Sequence, residues 1–214
     1  MDTFDYKKYI ADNPLLKEEI LTEENIAQDI ADELKKGLVA LKSQVKNMKP
    51  SPKDEEVNEI GGVGIASLVV GAPGLVKLLG NVANGVTDIL KKGIDSSVFD
   101  KETYKKGGGK NLTQTTVGKG LVKAGTALEE MYLDLIADAL QATYPSKFKG
   151  QDPHDEGSAL YKAAHKVYAG LLIAGAIGAG FEAVNAHSAI VAGFEGGTAT
   201  LKGKEVIDIA KAIA

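Results

Sequence analysis

AGLLIAGAIGAGFEAVNAHSAIVAG, Ala169–Gly193, holds one acid and one histidine among small and apolar residues. A membrane span, a buried helix and a nucleotide-binding turn can all be written this way, so its reading decides the fold. A bilayer-crossing helix needs about 20 mostly apolar residues. The uncharged run from Val167 to Phe181 is 15 residues long before Glu182 ends it, which is borderline. Gly178-Ala179-Gly180-Phe181-Glu182-Ala183 matches G-x-G-x-x-A, as in a dinucleotide-binding turn. Such a turn requires a following strand, an acid about 20 residues on, and further α/β units. The 31 residues after Ala183 carry only GFEGG and one short helical pattern, so context removes that reading. What remains is a two-sided helix. On a helical wheel Ile173, Ile177, Phe181, Val184 and Val191 form a bulky stripe. Gly175, Gly178, Glu182, Ala189 and Gly193 lie opposite, on a smooth face that lets another backbone approach closely. Gly175, Gly178, Glu182 and Ala189 are therefore the expected helix-contact face, with Glu182 turned toward a partner.

Working outward, the pattern is helical nearly throughout, which predicts an all-α fold: an irregular bundle with glycine-rich apolar central helices. This long apolar helix is expected over residues 156–194. Ile26, Ile30, Leu34, Leu38, Leu41, Val45 and Met48 recur every three or four residues behind Thr22, a plausible N-cap, and predict an amphipathic helix over 22–49. Pro50 and Pro52 end it, and 50–59 reads as a solvated linker. Residues 60–92 are apolar and glycine-rich; Pro73 predicts a helix, a break and a second helix there. A polar loop holding three consecutive glycines covers 93–116. Val117, Leu121, Ala124, Leu128, Met131, Leu135 and Ala139 predict a helix over 117–143, and 202–214 a short terminal one. Residues 1–21 form an extended arm with Tyr6 and Tyr9 as its anchors. Residues 22–214 form the helical domain.

Composition excludes several chemistries. The chain of 214 residues has no cysteine, which removes disulfides, thiol catalysis and cysteine metal sites. All 25 basic residues are lysine, so no bidentate arginine clamp for phosphate or carboxylate is available. A net charge of -4 and the lack of a basic stripe argue against a nucleic-acid partner. The polar N-terminus has no apolar signal-peptide core, which points to the cytoplasm or a particle assembled there.

Motifs that carry chemistry are sparse. Gly109-Lys110, Gly118-Lys119 and Gly203-Lys204 all miss the P-loop spacing, and no G-x-S-x-G is present. Glu130, Asp134 and Asp138 stand at i, i+4 and i+8, a carboxylate ridge able to hold a divalent cation but more simply a solvated face. His154, His165 and His187 lack zinc-ligand spacing, and the acids of QDPHDEG read as caps for the next helix. The expectation is a non-enzymatic protein with no catalytic residue, no metal and no cofactor.

The opening MDTFDYKKYIADNPLLKEEI resembles the N-terminal arms of small uncharacterised proteins of marine tailed bacteriophages. EIGGVGIASLVVGAPGLVKLLG and YKAAHKVYAGLLIAGAIGAG look like apolar segments in that group. The arginine-free, lysine-rich composition suits such AT-rich genomes. The resemblance implies a virion-associated structural or assembly role, acting through protein partners or self-association in the host cytoplasm or the virion. Large phages of this kind process head proteins after an L-x-E pattern, and Leu16-Lys17-Glu18 and Leu21-Thr22-Glu23 match it, which implies Glu18 and Glu23 as processing positions. Leu128-Glu129-Glu130 matches it too, inside a predicted helix. The alternative is a membrane-inserting protein, pore-, holin- or penetration-like, that uses 60–90 and 167–193. Pro73, Lys77, Glu182 and Asn185 all oppose insertion.

Overall fold

The computed structural model describes residues 23–51, 73–96, 116–193 and 202–214, and these are all-α. Seven helices pack against one another: α1 Glu23–Val45, α2 Pro73–Asp95, α3 Thr116–Thr143, α4 Pro145–Phe148, α5 Ala159–Gly178, α6 Ala183–Gly193 and α7 Gly203–Ile213. Tyr6, Tyr9, Glu18, Thr22 and the apolar residues 60–72 lie outside the described residues, as does most of the 93–116 loop.

Helix α5 is the axis of the bundle. Every residue from Leu160 to Ala176 is buried except Lys162 and Lys166. Helices α2, α3, α6 and α7 surround it, while α1 packs outside against α2 and α3. This explains why its apolar residues do not keep to one face: a helix enclosed on all sides has no solvent stripe to reserve for polar groups. Within Leu160–Ala176 the bulky and smooth faces are consequently both interior. Ile173 is fully buried on one, and Gly175 faces Val86 on the other, where an added Cβ would stand 3.0 Å from Val86 Cγ1. At Gly178 it would stand 2.6 Å from Thr87 Oγ1, and at Gly170 it would collide with Ile209. Missing side chains on α5 thus set how near α2 and α7 come to its backbone.

The expected continuous helix over 156–194 is corrected. It starts at Ala159, stops at Gly178 and resumes at Ala183. The stop has a clear cause in Gly180, whose φ of 90° is open to glycine and strained for other residues. Gly180 N–H donates to Ile177 O (2.8 Å) and Phe181 N–H to Ala176 O (3.1 Å), the paired bonds of a Schellman turn. Phe181, the residue after the turn, is buried back into the core. The G-x-G-x-x-A match is therefore a helix C-cap followed by a new helix. Gly180→Ala should cost about 1 kcal/mol from the left-handed backbone alone, read as a lower denaturation midpoint.

Pro73 opens α2 as its first residue, where its missing N–H costs nothing; this is where the second helix of the expected helix–break–helix begins, and the first, over 60–72, lies outside the described residues. Between α3 and α5, Pro145–Phe148 forms the short α4. Among the described residues no helix is long and apolar enough to cross a membrane. Of the two segments assigned to the membrane alternative, 167–193 is two helices, and its first part is the buried centre of the bundle.

Candidate functional site

The N-terminal half of α5 carries a histidine and a lysine into or to the edge of the interior, each facing an acid of a neighbouring helix. The helix begins cleanly there. Ser158 Oγ accepts from Tyr161 N–H (3.0 Å), and Gln151 Oε1 accepts from Leu160 N–H (2.9 Å), so two of the free N–H groups of the first turn are satisfied. The expectation that the acids of QDPHDEG cap this helix is corrected. Asp152 Oδ1 accepts from His154 N–H and Asp155 Oδ1 from Gly157 N–H, each 2.9 Å, so both acids hold turns of the loop while Ser158 caps.

One turn into α5, consecutive residues reach opposite neighbours. His165 is 3% exposed. Its Nδ1 lies 3.0 Å from the Tyr161 carbonyl oxygen, an acceptor only, so Nδ1 carries the proton of that bond. Its Nε2 points to Glu129 Oε1 on α3 at 3.6 Å, and the Tyr161 ring covers the imidazole with centroids 3.9 Å apart. Lys166 turns the other way and forms an ion pair with Glu205 of α7, both mostly shielded, in a geometry that is not that of a hydrogen bond. Burial, with Glu156 and Glu129 adding negative charge, raises the Tyr161 phenol above its usual range. The charges of Lys166 and Glu205 are tolerated there because each has an opposite partner; deleting one leaves the other uncompensated.

Deeper along the helix the polar contacts come from phenols. Tyr168 stacks on Tyr132 of α3, centroids 5.2 Å apart and planes 18° from parallel. Tyr132 Oη donates to Leu34 O of α1 at 2.7 Å. Burial pushes both phenols well above their ordinary range, so they stay protonated and Tyr132 remains a donor.

The residues singled out from the sequence fall into separate places. Gly175 and Gly178 do meet a neighbour: Thr87 of α2 donates its hydroxyl between Ala83 O (2.8 Å) and Gly175 O (3.0 Å). Glu182 does not share that face, because the Gly180 turn separates it. It is exposed at the start of α6, where its Oε2 accepts from Asn185 Nδ2 at 3.3 Å. Ala189 lies in α6, but its side chain is outside the described residues; Glu23 is the first residue of α1, its side chain likewise outside.

The ridge Glu130, Asp134, Asp138 is solvent-exposed, with His154 Nε2 3.3 Å from Asp134 Oδ1. Among the described residues no group of three or more acids and histidines could hold a metal ion. Partial burial, then the neighbouring Asp134, raises the Asp138 carboxyl. An acid whose folded pKa exceeds its unfolded one costs stability when charged, so that cost grows as pH rises above about 4. Asp138→Asn should therefore raise the melting temperature slightly at pH 7, by about 1 °C given solvent screening, and leave it unchanged near pH 3.

One depression went unmarked in the sequence. Ser43, Gln44, Asn47 and Met48 at the end of α1, Thr143 at the end of α3 and Pro73 to Leu75 opening α2 line an open depression of about 390 Å³. Its walls come from three separate helix ends, and no local spacing relates them.

No known protein family, curated protein or solved structure matches this chain. The function therefore has to be argued from the arrangement itself.

Proposed function

We propose that this chain is a non-enzymatic structural or assembly protein that works through protein contacts, as a component of a tailed-phage virion. The observation that supports a contact role is the use made of its inward ionisable groups. His165 and Glu129 join α5 to α3, Lys166 and Glu205 join α5 to α7, and the enclosed His165 ring is covered by Tyr161. These four side chains, which could do acid–base work, are committed to holding helices together. The phage assignment rests on the likeness of the N-terminal arm and the arginine-free composition.

Gradient-purified particles from an infected culture carrying this gene provide the test. Quantitative mass spectrometry should find the chain in a fixed ratio to the major head or tail proteins. Its presence only in particle-free lysate, or only in a membrane fraction, would reject the virion reading. Intact mass from the same particles tests processing: loss of residues 1–18 or 1–23 supports cleavage after Glu18 or Glu23, and a full-length mass rejects it.

A further inference from the structure

The joint between α6 and α7 carries a histidine in an unusual position. His187 of α6 has its Nε2 buried with no hydrogen-bond partner. Its ring lies flat against Gly203, the first residue of α7; a Cβ there would stand 3.3 Å from Cε1 and 3.6 Å from either ring nitrogen. Lys202, at the N-cap of α7, supplies no side-chain cap. The imidazole therefore packs against the positive end of a helix dipole that its N-cap residue leaves without a side-chain cap, Glu205 being the acid of that first turn. The geometry points to an acid-sensitive latch: protonation of His187 releases α7 from the bundle and opens the face of α5 that α7 covers.

The physical argument has two parts. A neutral imidazole needs only one N–H, so a bare Nε2 at this site costs little. An imidazolium must bury a second N–H with no acceptor, beside a helix end that already carries partial positive charge. Burial accordingly lowers the His187 pKa, and no charged neighbour contributes to that shift. Lys202 and Lys204 add like charge on α7, Lys166 and Glu205 are paired with each other, and Glu129 on α3 faces His165.

The sign follows from linkage. A histidine whose folded pKa is depressed contributes stability that is complete above its unfolded value of about 6.5 and is lost as pH falls through the folded one. What comes loose is specified by packing. Val206, Ile209, Ala210 and Ile213 are the buried side of α7. Ile209 seats on Gly170 of α5, and the Ile213 carbonyl oxygen would lie 2.7 Å from a Cβ at Gly80. A helix of 11 residues has little stability by itself, so losing its first turn loosens the whole element.

Hydrogen exchange by mass spectrometry on the full chain, corrected for intrinsic rates, tests this between pH 7.5 and 5.0. Protection of 203–213 should fall several-fold while that of α1 holds. The His187→Gln variant, neutral at every pH, should abolish the difference, whereas His165→Gln and His154→Gln should keep it. An NMR titration of the wild-type protein should place the His187 ring transition at the lower end of the pH range over which α7 protection falls, a range that opens near the unfolded value of about 6.5. Protection of α7 that does not change with pH, or that changes equally in His187→Gln, would overturn the latch. So would a loss of protection that falls outside the range between about 6.5 and the His187 ring transition.

Discussion

Gly37→Ala should destabilise the protein by about 2 kcal/mol, although alanine is the better helix former by about 1 kcal/mol. Gly37 lies where α1, α2 and α3 meet. A methyl there would collide with Val82 Cγ2 and stand 2.5 Å from Tyr132 Oη. Overpacking of this kind costs about 1–3 kcal/mol. The methyl also pushes the phenol off Leu34 O, and an orphaned buried hydroxyl costs about 1–3 kcal/mol more. Together these outweigh the gain in helix propensity. Urea midpoints check the total, and a cycle with Tyr132→Phe checks the cause. Removing the hydroxyl relieves one of the two collisions, so Gly37→Ala should cost less in the phenylalanine background. Strict additivity would count against the contact. Gly85 on α2 is the control: the three atoms nearest a Cβ there all belong to the flexible side chain of Glu33, which can swing away, and Gly85→Ala should be neutral or stabilising by up to about 1 kcal/mol.

Tyr168→Ala should be the most damaging single truncation, at about 3–5 kcal/mol, in line with other buried aromatic deletions. Tyr168 is fully buried on the central helix and stacks on Tyr132, which in turn bonds to α1. The cavity would open among four surrounding helices that cannot all move inward at once. Since whole domains are stable by only about 5–15 kcal/mol, the variant should lose much of its margin, visible as a large drop in the denaturation midpoint. A midpoint within about 1 kcal/mol of wild type would mean that the bundle closes easily around α5.

Much of the architecture was legible before any coordinates. The stripe Ile26, Ile30, Leu34, Leu38, Leu41 is buried along α1, as its three-and-four spacing demands. The all-α class followed from that period recurring with no sustained alternation of two. The candidate contact face was only half legible. Gly175 and Gly178 do lie against α2, but Glu182 leaves the face because the wheel assumed an unbroken helix. The break was written in the sequence as Gly180, yet a glycine among so many others does not announce which one takes positive φ. Pro73 was visible as a helix signal and ambiguous in direction, since proline serves a first turn as well as it disrupts an interior.

The pairs that define the interior were not legible at all. His165 with Glu129, Lys166 with Glu205 and Tyr132 with Leu34 O each join residues at least 36 positions apart. His187 against Gly203 depends on how two short helices meet.

The sequence by itself determined the helical class and the one-sided burial of α1, because periodicity is a local property that the backbone converts directly into a face. It also excluded cysteine and arginine chemistry outright. Tertiary structure decided what surrounds α5: a stretch apolar on every side is equally suited to lipid or to protein, and only the partners settle which. Here α2, α3, α6 and α7 supply them, with glycines admitting backbones closely and paired charges closing the polar end.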